Sequence, residues 1–304
     1  MSLGASKKID ALALRRERSI MFAGLSDMVV IVAALVAALW GNSLMMAAEA
    51  LRGQLLVAME MLLLILLRRI HRGRTHGFDY GAGKLEQFGN LAIGTAMGLG
   101  GLWVGAAAAY RWWNPPQQVA LGLGFAVLVG VVNVAQNGVA FAGLWRASRD
   151  GTSLIMIGQV RTRLAKVISS GIVCVALFVN AALGGSFWGL LAEVLGSGFV
   201  ALVMLQLAVE MWRQALPSLL DHTLDEARQR SINRVLVQHF EGYDELLAVR
   251  SRLSGNTALV EVVLGFQPQR LMGDIQVVVD HVSKDVGDLI PGAFVSIIPV
   301  ASQT

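Results

Sequence analysis

The stretch AAEALRGQLLVAME (residues 47–60) sets two carboxylates and a guanidinium inside a run otherwise apolar enough for a membrane. Glu49 and Arg52 are three residues apart, so on a helix they meet on one face. Glu60 follows further down the same run. Ionisable groups in a span are costly, and they face a partner, a cavity or a pathway. A second stretch, QVRTRLAKVISS (159–170), places Arg161, Arg163 and Lys166 in another apolar run. Each buried cation costs roughly 2.5–3.5 kcal/mol at a helix centre, so the basic cluster calls for partners.

Three chemistries fit these residues. One is an internal ion-pair lock: Glu49 pairs with Arg52, and Lys166 reaches Glu60, Asp27 or Glu193, with Arg163 a further candidate charge partner. The second is a path for an anionic or organic solute drawn by the basic cluster, with Glu49 carrying the proton. The third is a cation held by Asp27, Glu49 and Glu60, or by Asn133, Gln136 and Asn137. Met45, Met46, Met59 and Met61 add a soft-metal variant of that idea.

The elements that position these groups follow from hydropathy. Only 15% of the 304 residues are charged, too few to cover a soluble protein of this length. Six apolar runs, at 19–40, 44–67, 87–110, 119–145, 153–180 and 186–212, predict six transmembrane helices in an all-α membrane domain spanning 19–215. Lys7, Lys8, Arg15, Arg16 and Arg18 precede the first. Arg68, Arg69, Arg72, Arg74 and Lys84 separate the second from the third, and Arg146 and Arg149 the fourth from the fifth. The opposite connections carry only Arg111. Positive charge stays inside, which makes both termini cytoplasmic. Trp40, Trp112, Trp113 and Trp188 fall at the outer ends as an interfacial belt. Residues 1–18 read as a polar, basic cytoplasmic segment without a signal-peptide core.

After about residue 216 the pattern changes. Residues 224–242 have helical periodicity, 246–254 and 258–266 alternate as strands around a Gly-Asn turn, 271–290 is helical again, and 293–300 is a third strand. Residues 216–304 thus predict a small cytoplasmic α+β domain of order α-β-β-α-β, marginal in size and helped by dimerisation. The lone Cys174 excludes a disulfide framework or thiolate cluster. No nucleophile–base–orienter set or phosphate loop occurs, so neither an enzyme nor a bound cofactor is expected. The basic residues follow loop topology rather than one soluble face, which excludes a nucleic-acid partner.

The layout, together with YGAGKLE (80–86), WWNPP (112–116) and LPSLLDHTLDEA (216–227), resembles the cation diffusion facilitator family of proton-coupled divalent-metal exporters. The resemblance implies alternating access, a bacterial inner membrane, and a homodimer joined through the cytoplasmic domain. It makes Lys84 and Asp221 a salt bridge near the dimer interface. The alternative for that pair is a solvated lysine and a helix-capping aspartate. The family's four midplane ligands, two His or Asp residues four apart on each of spans two and five, correspond here to Arg52, Leu56, Thr162 and Lys166. None of these is a metal ligand. The loop histidine is Ala82, and the cytoplasmic ligand positions fall on Leu247, Val263, Gln276 and Ile298. His222, His239 and His281 read as separate surface or packing residues, and His71, His76 and Asp79 as a weak loop cluster. The resemblance therefore implies a divergent transporter with a degenerate site at Glu49, Arg52, Leu56, Thr162 and Lys166. The competing expectation is a non-transporting subunit that pairs with a metal-competent relative.

Overall fold

Six long helices lead the chain, and each begins or ends where an apolar run meets a turn or a charge. In the computed structural model they are α1 (Ala11–Gly41), α2 (Leu44–His71), α3 (Gly83–Trp113), α4 (Ala120–Ser148), α5 (Leu154–Ala182) and α6 (Phe187–Leu219). The structure describes residues 11–71, 83–148, 154–254 and 257–302. For 11–20, 161–163 and several other helix residues it describes the backbone alone. The loop groups His76 and Asp79 lie outside the described residues, as does the side chain of His71.

The helices outrun the apolar stretches, because helix propensity does not stop where hydropathy does. α1 already includes residues 11–18, α3 starts at Gly83, and α6 continues through Pro217. Five of the six are long and apolar enough to cross a membrane, and α2 is not counted with them over the described residues. That helix carries Glu49, Arg52 and Glu60. Leu39, Trp113, Leu121 and Val139 are each about three-quarters exposed, a surface suited to lipid rather than water. The chain is an integral membrane protein.

Two units divide the chain: Met1–Arg72 with Ala92–Glu210, and Gly73–Leu91 with Met211–Thr304. In the first, α1 packs on α2 and α4, and α4 packs on α5. Its core includes Met45, Met46, Met97 and Met204, all essentially unexposed, together with small residues that bring backbones close. A Cβ on Gly122 would lie 2.4 Å from the Gly41 nitrogen, so α4 meets the end of α1 only because both positions lack side chains. The methionines of α2 nearest its start are thus packing residues.

The second unit holds the ends of α3 and α6 and a small α+β fold: α7 (Glu226–Gln238), β1 (Glu245–Ser254), β2 (Thr257–Phe266), α8 (Met272–Leu289) and β3 (Phe294–Ala301). β2 is central, antiparallel to β1 and parallel to β3. Ala258, Val260, Val262, Leu264 and Phe266 are buried at strict alternation. They meet Ile232, Val235 and Leu236 of α7 and Val282 and Val286 of α8, which recur at helical spacing. The predicted α-β-β-α-β order is the observed one.

Candidate functional site

Unit 1 holds a cavity of about 50 Å³ between α1, α2, α4 and α5. A water needs roughly 10–15 Å³ of such space, so there is room for a few. Asp27 of α1, Glu49 and Arg52 of α2, Asn133 of α4, and Lys166 and Ser170 of α5 give it a polar side. Aliphatic groups, Leu56 among them, line the rest. Two carboxylates face two cations, so the cavity carries no net formal charge from these groups.

Each carboxylate has a defined partner. Arg52, only 5% exposed, donates from Nε to Glu49 Oε2 at 3.1 Å and from Nη2 to Glu49 Oε1 at 2.5 Å, a two-pronged pair. Asn133 Nδ2 adds a donor to Glu49 Oε1 at 3.2 Å. Gln136 Nε2 donates to Asp27 Oδ1 at 2.5 Å. Asn137 Nδ2 bonds the carbonyl and Oδ1 of Asn133 and reaches Ser170 Oγ at 3.3 Å. One face of α4, with Asn133, Gln136 and Asn137, therefore holds the carboxylates of α1 and α2 in place. Among the described residues no three His, Cys, Asp or Glu side chains gather to hold a metal ion.

A second polar cluster lies where the α1–α2, α3–α4 and α5–α6 connections meet. Glu193 of α6 is 1% exposed. Its carboxylate accepts from the backbone N–H groups of Leu44 and Met45 at 2.5 and 3.2 Å, from Ser43 Oγ at 3.1 Å, and from Asn180 Nδ2 at 2.8 Å. Arg111 Nη1 of α3 stands 3.3 Å away and also binds the Asn42 carbonyl at 2.8 Å. The carboxylate thus caps α2 from a different helix, where the free N–H groups and the helix dipole favour an anion. Of the three partners offered to Lys166, Glu193 is thus engaged elsewhere. Its acceptors are taken by the start of α2, by α3 and by α5. Nothing in the local sequence pairs residue 193 with residues 43–45, and the isolated Arg111 was the one available signal.

A model of the cation efflux transmembrane domain matches residues 20–220, most of α1 and the whole of α2 to α6. The chain belongs to the cation efflux family. At the level of that family it is a membrane cation transporter. No curated protein matches the chain.

In this cation efflux protein, the positions expected for the degenerate site meet at the cavity where they are described. Glu49, Arg52, Leu56 and Lys166 all line it, as does Asp27. The side chains of Thr162 and Arg163 lie outside the described residues, and Glu60 is not among the lining groups.

In unit 2, Lys84 Nζ lies 2.8 Å from Asp221 Oδ1, and Arg252 Nη1 of β1 lies 3.0 Å from Asp221 Oδ2. The bond from Lys84, then the charge of Arg252, hold the Asp221 carboxyl below its ordinary range. Asp221 caps no helix N-terminus. It has φ 53° just past α6, and the His222 N–H bonds the Pro217 carbonyl at 2.8 Å, the closing geometry of a helix C-terminus. Aspartate tolerates that left-handed conformation better than most residues. Elsewhere in the unit, two of the three separate histidines come together, His222 staying apart. His239 Nε2 lies 2.7 Å from Asp285 Oδ2, and the His239 and His281 rings are 6.3 Å apart. The sequence signal was the four-residue spacing of His281 and Asp285 on α8.

Proposed function

We propose that this protein is a six-span, proton-coupled cation transporter in which an internal ion pair stands in for the family's fixed metal cage. The observation that carries the reading is the small hydrated-size cavity lined by Glu49, Arg52, Lys166 and Asp27. A scaffold has no need of a cavity at that place, whereas a transporter does. Two unit charges about 4 Å apart interact by about 4 kcal/mol at an effective dielectric of 20, so a divalent ion beside one fixed cation is opposed by roughly twice that. Arg52 keeps its charge under all ordinary conditions. Cargo must therefore compete with Arg52 for Glu49, and the carboxylates that receive it are Asp27 and Glu49. Glu49 is also the group placed to exchange a proton when Arg52 moves away.

The same reading takes α2 as the sixth span, both termini as cytoplasmic, and the working unit as a homodimer joined through the α+β domain. The complete internal pairing of Glu49 also suits a non-transporting subunit beside a metal-competent relative, and flux separates the two. Zn²⁺, Mn²⁺ and Fe²⁺ binding should be compared by calorimetry in the native protein and an Arg52→Asp, Leu56→Asp, Thr162→His, Lys166→Asp variant. Weak binding by the first and tight binding by the second is expected. Tight binding at a native site that survives Glu49→Gln would overturn the assignment. In vesicles, Glu49→Gln should abolish cation-driven proton movement; unchanged movement sinks the role given to that carboxylate.

A further inference from the structure

Glu193 plays no part in the cavity, yet it is the most thoroughly bonded ionisable group described in unit 1. Its carboxylate joins four helices: the first turn of α2 through Ser43, Leu44 and Met45, α3 through Arg111, α5 through Asn180, and α6 through its own backbone. Ser197 Oγ, one turn on, bonds the Glu193 carbonyl at 2.7 Å. Alternating access requires one end of such a bundle to part while the other closes. The end bearing the Glu193 cluster cannot part while these bonds hold. α2 is also the helix that carries Glu49 and Arg52, and Met46, one residue beyond the capped turn, lines the cavity.

A second observation concerns Asn180. It is fully buried, and its Oδ1 has no hydrogen-bond partner while its Nδ2 donates to Glu193. A buried, unpaired acceptor is costly. Turning the amide over brings Oδ1 to the carboxyl group, an arrangement that suits Glu193 only when it carries a proton to donate. The site thus has two hydrogen-bonding states that differ by one proton. In the charged state the carboxylate holds two helix N-terminal N–H groups and a guanidinium. In the neutral state it loses its attraction for both.

We propose that Glu193 is a proton-operated latch that binds α2 to α3, α5 and α6 when ionised and frees that end of the bundle when protonated. Among the described residues, the charged or titratable side chain that faces it is Arg111 of α3, while α2 presents backbone N–H groups and Ser43, and α5 presents Asn180. The latch rests on the alternating-access reading, but it concerns a different group from the cavity carboxylates.

The test is thiol accessibility in lipid nanodiscs. Ala48, unexposed and one turn into α2 from the latch, is replaced by cysteine in a Cys174→Ala background. The rate of labelling by a water-soluble maleimide, divided at each pH by the rate for the same thiol in the unfolded chain to remove its own titration, should be low near pH 8 and rise about tenfold or more near pH 5, as a minor open state becomes a major one. Glu193→Gln should label fast at both values. Arg111→Met should keep the transition and move it to higher pH, because the carboxylate then loses its cation; this variant carries the test if Glu193→Gln does not fold. Labelling of the native latch that ignores pH, a transition that survives Glu193→Gln, or one that Arg111→Met leaves in place would each overturn the proposal. None of these outcomes bears on cation binding at Glu49, so the latch and the transport site fail separately.

Discussion

Two glutamate–arginine pairs in the membrane unit solve the same problem differently. Glu49 and Arg52 are one turn apart on α2, beside a cavity that admits water, and a single amide from α4 supports them. Glu193 and Arg111 are 82 residues apart, and the carboxylate is sealed among backbone donors, a serine and an asparagine. The first pair borders open space with room for water and polar neighbours, so an exchange of partners there costs less. The second exchanges nothing without moving helices. On the proposed reading, the pair that gives way to cargo is local and beside open space, and the pair that holds the bundle is long-range and enclosed.

The comparison breaks most readily at Glu193. Glu193→Ala leaves two N–H groups and Asn180 without their acceptor and Arg111 without its carboxylate, and should cost about 3–5 kcal/mol in reversible unfolding from mixed micelles. Glu49→Ala should cost less, about 1–3 kcal/mol, since Arg52 borders a cavity with room for water. A larger loss at Glu49 than at Glu193 would reverse the contrast. Replacing Glu49 and Arg52 together by leucines should cost less than Glu49→Ala alone, because no charge is then stranded. A double-mutant cycle reads that coupling directly.

Gly122→Ala sharpens the structural side of the contrast. The added Cβ falls on the Gly41 backbone, so α1 and α4 must separate at the end where the latch lies, at about 1–3 kcal/mol. Near-normal stability on unfolding would refute that close approach. The smallest effect belongs to unit 2. Asp221 is ionised more readily in the folded protein than in the unfolded chain, so its pairs with Lys84 and Arg252 stabilise above the ordinary carboxylate range. That contribution is lost as pH falls through its depressed value. Asp221 is well exposed, so each pair is worth at most about 1 kcal/mol. Asp221→Asn should flatten the acid limb of a thermal-stability profile without changing it near neutrality by more than that.

Much of this molecule was legible in residue order because it depends on local period. Apolar runs long enough for hydrocarbon marked the helices, and strict alternation over 258–266 marked the central strand that is buried on one face. Glu49 and Arg52 were a pair by spacing alone. Helix ends were less legible: α1 and α6 continue past their apolar stretches, since propensity and hydropathy are separate signals.

What the sequence by itself determined is a membrane protein of the cation efflux layout with an α+β domain and charges where metal ligands are expected. Only the tertiary structure decided where those charges go. Glu193 was one of three partners offered to Lys166, beside Glu60 and Asp27, but helix packing brings it to the start of α2, whose free N–H groups attract a carboxylate. Asp221 was read as an N-terminal cap or a bridge to Lys84, and the left-handed turn after α6 lets it meet Lys84 and Arg252 at once. His239, His281 and Asp285 meet because α7 and α8 lie on the same face of the sheet. Contacts one turn apart are written in the chain; contacts between helices depend on rotation and depth, which packing alone sets.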